Sequence, residues 1–508
     1  MRKPLFLLLG MLPLICPASP VQDTLRVDLS APAKSVVRRP VGINLFMLMD
    51  HDSGERRARP MQRALRDLGV RSVRFNEGEY GDWYLFTHPD SLHLLTRPDA
   101  PLYPTLIDIK SRGIDGRLTD IDAEPQHGGY PLNRPGYRPT VDFNDFLRLC
   151  RRTGADDATV IIPTHPVDRS LAKPFYPTRE EMVRSAAAMV RYANRVCRAG
   201  IRFWEIGNEH YWENRNDAHD AAWARRCASL ILEMARAMKT EDPTIEIGVN
   251  GFTPAWLEAL LGYTAGGERL IDWVDNVVPH QYAKRELIGD YALYSRSAEY
   301  PLHEVDVAAA FLDRGDAPDA ELRRAMKLEV TEASSFMPGN RAHLVDNVAW
   351  VALANFEHLG YVLAAPRVEY VHFWATHWTD DKTYWSALRM DNTLAPMGWG
   401  VKLWNDHLLD RFWKADLHSL SVRCYASASA DGGRLTLFLV NRLDRELPCR
   451  VELRGWRGGS RFRTSGITAE RPDDRDFRTQ RPSSGRLAGD AFERRLAPLS
   501  VTVVEIGK

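Results

Sequence analysis

Short runs of apolar or β-branched residues alternate with stretches of helical spacing from about residue 41 to about residue 400. The runs at 41–46, 72–75, 158–162, 203–206, 245–249, 274–278, 327–330 and 368–373 have the length and residue types of buried strands. Between several of them, at 56–68, 143–152, 179–198 and 221–238, apolar positions return at three- and four-residue steps, as on one face of a helix. Strands separated by helices pair in parallel, because each crossover carries its helix over the sheet. Eight such units predict an α/β fold, a closed (β/α)8 TIM barrel over 41–405. An open doubly wound sheet is the competing arrangement. No glycine-rich phosphate loop follows the first strand, which counts against its nucleotide-binding version.

Beyond residue 405 the pattern changes. The runs 420–425, 434–440, 449–453 and 500–506 read as strands with no helices between them, and the Arg- and Asp-rich stretch 472–486 reads as a polar loop. This predicts an appended C-terminal antiparallel β-sandwich over 406–508. Residues 21–40, through the run 24–29, are expected to supply an N-terminal strand of the same sandwich. The stretch 85–137, rich in Pro, Gly and Asp, reads as a long loop after the second strand, on the face where barrel loops wall substrate clefts.

The first 20 residues look like an export leader. Arg2 and Lys3 precede an apolar run at 5–16, broken by Gly10 and Pro13 and followed by Pro17, Ala18, Ser19 and Pro20. The expected location is therefore secreted or periplasmic. The run is too short to span a bilayer, and no later stretch is long and apolar enough to do so. Leader removal would leave Cys150, Cys197, Cys227, Cys424 and Cys449, without zinc-type spacing. At most two disulfides could form from these five, and buried apolar filling is the expected role.

Composition narrows the function classes. The chain of 508 residues is 44% hydrophobic and 26% charged, which fits a globular protein. Lys plus Arg and Asp plus Glu are equal at 67 each, and no local basic patch stands out. A nucleic-acid partner is not expected. Several of the 14 Trp lie at suspected strand ends, where their flat faces suit a sugar ring.

Two glutamates carry the candidate chemistry. Asn208 and Glu209 follow the fourth strand, and Glu332 ends the seventh. Side chains at the C-terminal strand ends of a barrel converge on its mouth, and strands four and seven stand on opposite sides of an eight-membered ring. A facing carboxyl pair suits glycoside hydrolysis, with one group ionised as nucleophile and the other protonated as acid. The assignment makes Glu332 the nucleophile and Glu209 the acid/base, with Asn208 a donor to the sugar 2-hydroxyl. Glu329 is the rival nucleophile, but simple alternation turns it to the opposite face.

Arg74 would favour the charged nucleophile by opposite charge. Trp374 ends the eighth strand and could stack on the innermost sugar, with His377, Trp378 and Trp385 as outer contacts. Glu77 and Glu79 are candidate acceptors of sugar hydroxyls. The cluster Asp50, His51, Asp52 contains metal-ligand types, but it more simply lines the pocket or caps the next helix. No Gly-x-Ser-x-Gly elbow supports a serine esterase. Neither a metal nor a cofactor is expected.

The run WEIGNE at 204–209 resembles the acid/base motif of the clan A glycoside hydrolases. It is most similar to the families of α-L-arabinofuranosidases (family 51), β-glucuronidases and heparanases (family 79) and β-xylosidases (family 39). The likeness extends to FNDFLRLCRRTG at 143–154, VRYAN at 190–194 and SVRFNEGE at 72–79. In those families Pro-Gly-Gly usually follows the Arg-Phe segment; here Asn76, Glu77 and Gly78 stand instead. VTE at 330–332 looks more like the nucleophile strand of families 39 and 79 than the Asp-Glu-Trp pattern common in family 51.

In the clan a His-x-Tyr ends the sixth strand and sets Tyr beside the nucleophile. The resemblance thus implies that Tyr282 of PHQY at 279–282 orients Glu332, while His280 shapes the pocket. It also implies a barrel with an appended sandwich and a retaining hydrolase acting on a carbohydrate. An α-L-arabinofuranoside or similar terminal sugar is the leading substrate, with a β-glucuronide or β-xyloside next. A catalytically inactive sugar-binding protein and a carbohydrate lyase are the readings from other classes.

Overall fold

A computed structural model describes residues 23–46, 49–52, 57–75, 78, 81, 141, 143–164, 179–213, 221–283, 289–335, 347–377, 385–414 and 421–507. Residues 1–20, expected as a leader, and the stretch 85–137 lie outside these residues, as do Glu77, Glu79 and Trp378.

The eight expected strands form one closed parallel barrel. In order they are Val41–Asn44, Val73–Phe75, Thr159–Ile162, Phe203–Ile206, Glu246–Asn250, the pair Asn276–Val278 and His280–Tyr282, then Lys327–Ser334 and Val368–Phe373. Closure is made where Val371 on the eighth strand pairs with Val41 on the first. The sixth strand is broken at Pro279, which has no N–H to give to a ladder. Both of its halves pair with the seventh.

Outward residues of these strands, such as Trp204, Ile206, Val330 and Val371, pack on the surrounding helices in the main core. Those helices include Met61–Leu68, Phe143–Thr153, Ala221–Glu241 and Ala349–Ala364. Local chemistry sets some of their ends. The Thr253 hydroxyl accepts from the Trp256 amide before Pro254–Leu261, and the Asp52 carboxylate accepts from the Met61 amide at 2.7 Å.

The C-terminal region forms two sheets. The larger has eight strands, and its middle is built from Arg411–Lys414, Val422–Ala428, Leu435–Asn441, Ser500–Gly507 and Arg461–Thr468. The stretch 472–486, expected as a loop, instead contributes the short strands Arg478–Thr479 and Ser483–Arg486 to the edge. The smaller sheet joins Leu447–Arg454 to Ala491–Leu496 and to the N-terminal strand Asp23–Asp28. That last pairing is parallel, so the sandwich is antiparallel except at this one junction.

Alternation gives the larger sheet two apolar faces. Leu435, Leu437 and Leu439 meet Leu25, Val27 and Val451 of the smaller sheet, while Tyr425, Phe438 and Val503 join the barrel core. Trp404 and Phe356 stack there with ring centroids 4.6 Å apart, and Phe438 lies 4.6 Å from Trp404. The cysteines at 150, 197, 227, 424 and 449 are free thiols, all buried except the half-buried Cys197. Among the described residues no helix is long and apolar enough to cross a membrane.

Candidate active site

The mouth of the barrel is organised around one buried arginine. Arg74, on the second strand, uses all five of its N–H donors. Its Nε and Nη2 reach Glu205 at 2.7 and 2.9 Å, and Nη1 reaches Asn44 and Glu332 at 2.9 Å each. Nη2 also donates to Asn208 at 2.8 Å. Burial works against its charge, but the Glu205 and Glu332 carboxylates outweigh burial and raise its pKa further. A fixed cation with planar donors therefore ties strands one, two, four and seven together.

Glu332 faces this cation with Oε1 and receives the Tyr282 hydroxyl on Oε2 at 2.8 Å. Burial first, then the Glu332 charge, holds the Tyr282 pKa well above its ordinary value, so the phenol stays a donor. The pairing of His280 with Glu332 in the strand register brings Tyr282 alongside.

Glu209 approaches from the other side. The fourth strand ends at Ile206, and the chain turns sharply through Gly207 (φ 77°) before Glu209 itself adopts φ 45°. A Cβ on Gly207 would lie 1.7 Å from the His210 ring, so only glycine fits. A left-handed Glu costs about 1–2 kcal/mol, a strain of the kind found where a functional side chain must be aimed. The Glu209 carboxyl receives His280 Nδ1 at 2.8 Å and the Tyr211 hydroxyl at 3.3 Å.

His280 lies between the two carboxyls, with Nδ1 also 3.5 Å from Glu332 Oε2. Its Nε2 is 3.1 Å from the Thr331 hydroxyl, which itself donates to Glu205 at 3.4 Å. Both ring nitrogens can thus donate, the pattern of an imidazolium. Burial opposes that charge, yet Glu332 and the hydrogen bond to Glu209 outweigh it and lift the pKa above 6.5.

The donor atoms of Glu209, His280 and Glu332 all lie within 4.8 Å of one another. These are also the one group of metal-ligating type among the described residues. The Arg74 guanidinium at 2.9 Å already meets Glu332, which disfavours a dication in the same place.

Trp374 and Trp385 form a small apolar cluster with Ala375, and Tyr282 packs against it. The Trp374–Ala375 peptide is cis. Gly78 packs between Glu332, Trp374 and Asn208. A Cβ there would lie 2.6 Å from Glu332 Oε1, 3.3 Å from the Trp374 ring and 3.4 Å from Asn208 Nδ2. Backbone alone fits so close to the carboxylate.

Asn208, Glu209, His280, Tyr282, Glu332, Trp374 and Arg74 thus meet at one mouth, while Glu79 lies outside the described residues. Two expectations change. His377 is fully buried and bonded to Asp50 at 2.5 Å and to the Arg389 carbonyl at 3.0 Å, so it is no outer sugar contact. Trp385 is buried in one cluster with Trp374.

The alternation used against Glu329 also fails, because the register with the eighth strand shifts between Val330 and Ala333. Thr331 and Glu332 both turn to the mouth, and Glu329, paired with Tyr370, lies deeper toward the barrel floor. Burial and the neighbouring Glu369 raise the Glu329 pKa well above 4.5. Position and environment, not parity, set it apart from Glu332.

Sequence reasoning missed Glu205, Asn44 and Thr331. A signal existed for the first. In the strand Phe203–Ile206 the outer face is Trp204 and Ile206, which leaves a lone carboxylate pointing into the barrel. A separate groove of about 870 Å³ runs past Lys34, Tyr361, Trp413 and Lys414 at the seam with the sandwich. None of the residues of the mouth lines it, so chemistry and not cavity size locates the site.

No protein-family model matches the chain, nor does any curated protein sequence. Solved structures do match in fold. An α-L-arabinofuranosidase from Thermotoga maritima in complex with arabinose has TM-score 0.65 at 16% identity, over 96% of this chain and 100% of that one. The thermostable family 51 α-L-arabinofuranosidase from Thermotoga petrophila RKU-1 gives 0.61 at 15%, over 95% and 99%. A family 44 xyloglucanase from Paenibacillus polymyxa with xyloglucan gives 0.55 at 13%, over 96% and 99%. The chain thus shares the fold of these glycosidases along nearly its whole length.

Proposed function

We propose that this protein is a retaining glycoside hydrolase in which Glu332 is the nucleophile and Glu209 the acid/base. One observation carries the reading: carboxyls from the ends of strands four and seven approach within 4.8 Å around His280. Retaining enzymes hold their pair roughly 5–5.5 Å apart, whereas inverting ones leave about 6.5–9.5 Å for a water.

In this scheme Glu332 attacks the anomeric carbon while Glu209 gives its proton to the departing glycosidic oxygen. A glycosyl ester forms on Glu332. Glu209, now a base, takes a proton from water, which attacks the same carbon and frees the sugar with its configuration retained. Arg74 and Tyr282 hold the nucleophile's two oxygens apart from Glu209, so that it keeps a fixed angle of attack. Asn208, held by Arg74, meets the sugar 2-hydroxyl in this scheme, and Trp374 stacks on the ring.

For the sugar, an α-L-arabinofuranoside is the leading candidate. The arabinofuranosidase folds among the neighbours support it, as does the motif at 204–209. The leader-like residues 1–20 support action outside the cytoplasm, which the N-terminus of the exported protein would check.

The test is a panel of aryl glycosides with the wild type, Glu209→Ala and Glu332→Gly. Azide should restore the first with retained configuration and the second with inverted configuration. Wild-type turnover by both variants would overturn the assignment.

A further inference from the structure

Arginines scattered along the sequence form a row across the outer end of the larger sheet. Arg461 stands directly opposite Arg486 on one neighbouring strand and Gly507 on the other. Beyond Gly507 lies Arg434, whose Cγ is 3.7 Å from where a Gly507 Cβ would sit. Arg463, two residues along from Arg461, shares its face by alternation. Four strands at about 4.8 Å spacing make the row about 14 Å long, with the glycine leaving a dip in its middle.

All four arginines are exposed. None of them forms an ion pair within 4 Å among the described residues. Two carboxylates lie near. Glu505 receives His407 Nδ1 at 3.1 Å, and Asp431 accepts from the Ser429 hydroxyl and the Gly433 amide. The surrounding region has the same bias. Residues 421–507 hold sixteen Arg and no Lys against eleven Asp plus Glu, in a chain whose net charge is zero.

Like charges placed directly opposite across strands destabilise a sheet unless an anion lies between them. Guanidinium forks bind carboxylates in bidentate fashion, a geometry ammonium groups do not offer. A spaced row of forks with Glu505 among them suits an anion with separated charges better than the dense phosphates of a nucleic acid.

We propose that this row binds a polyuronate, a polysaccharide carrying one carboxylate on each sugar, across the strands and away from the catalytic mouth. The polymer partner rests on the glycoside hydrolase reading, but the two fail separately: aryl-glycoside turnover tests that reading, and polymer binding tests this one.

The experiment measures binding of the full chain to polygalacturonate and to fully methyl-esterified polygalacturonan in 150 mM salt. The wild type should bind the acid and not the ester. Arg461→Ala/Arg486→Ala should weaken binding at least 10-fold and Arg463→Ala less, both with unchanged aryl-glycoside turnover and melting temperature. Equal binding of the ester, undiminished binding by the double variant, or tighter binding of DNA or anionic vesicles than of polygalacturonate would each overturn the proposal. So would a double variant that aggregates while keeping its affinity, since the row would then only shield the sheet edge.

Discussion

The seventh strand carries two glutamates three residues apart, and they stand in opposite electrostatic worlds. At the mouth, Glu332 meets a guanidinium at 2.9 Å and a phenol at 2.8 Å. Toward the floor, Glu329 is 2% exposed, and after burial the charge of Glu369, itself ion-paired with Lys327, acts on it most strongly. Its Oε2 has no hydrogen-bond partner, and burial keeps its proton on. One residue type on one strand thus gives a carboxyl held by a guanidinium and a phenol at the mouth and a neutral one sealed in the interior. Partners decide the difference, and the bulge between Val330 and Ala333 decides which partners each one meets.

Exchanging the two glutamates in turn would break this contrast most sharply. Glu332→Gly should lower turnover about 10⁴-fold or more, whereas Glu329→Gln should leave it within about threefold, as steady-state kinetics on an activated glycoside would read. A large loss from the second variant would mean that the floor takes part in the chemistry.

Arg74→Lys probes the mouth with charge conserved. An ammonium offers three donors where five serve four residues, so Glu205, Glu332, Asn208 and Asn44 cannot all keep their contacts. Turnover should drop about 100-fold through misplacement of the nucleophile. Urea unfolding should show a loss of roughly 2–3 kcal/mol for the lost charged hydrogen bonds.

The floor should declare itself through pH instead. Above about pH 4.5 the unfolded chain releases the Glu329 proton while the folded chain retains it, so the folded state binds more protons. Stability must then fall as pH rises, by at most about 1.4 kcal/mol per pH unit, until Glu329 ionises in the fold. Glu329→Gln should flatten that slope in urea titrations between pH 5 and 8.

His280 gives the smallest effect, because burial offsets much of what its carboxylate neighbours add. Its raised pKa stabilises the fold below about pH 6.5, and that contribution fades as pH climbs through the folded value. His280→Gln should remove that contribution, leaving the variant less stable than wild type below about pH 6.5 and the two curves converging as pH rises through the folded value.

Much of the mouth could be read from the chain. Glu209 and Glu332 stand at ends of apolar runs, where a barrel places its reactive groups, and Asn208, Tyr282, His280 and Arg74 lie at matching ends. Glu205 and Thr331 could not be ranked, because their importance comes from Arg74 and His280 approaching through the barrel interior. His377 misled for a similar reason: it follows an active strand end, yet its ring turns inward to Asp50, 327 residues earlier in the chain. The arginine row escaped notice because cross-strand register, not nearness in the chain, assembles it.

The sequence by itself determined the periodicities, and with them the eight parallel units, the β-rich tail and the strand ends where polar residues gather. Those are local properties, set by how far apart apolar side chains recur. Tertiary structure alone decided which glutamate meets a guanidinium, which histidine meets the facing carboxyls and which arginines become neighbours. Charge state and contact depend on the dielectric and on partners brought from hundreds of residues away, and no local window of the chain contains that information.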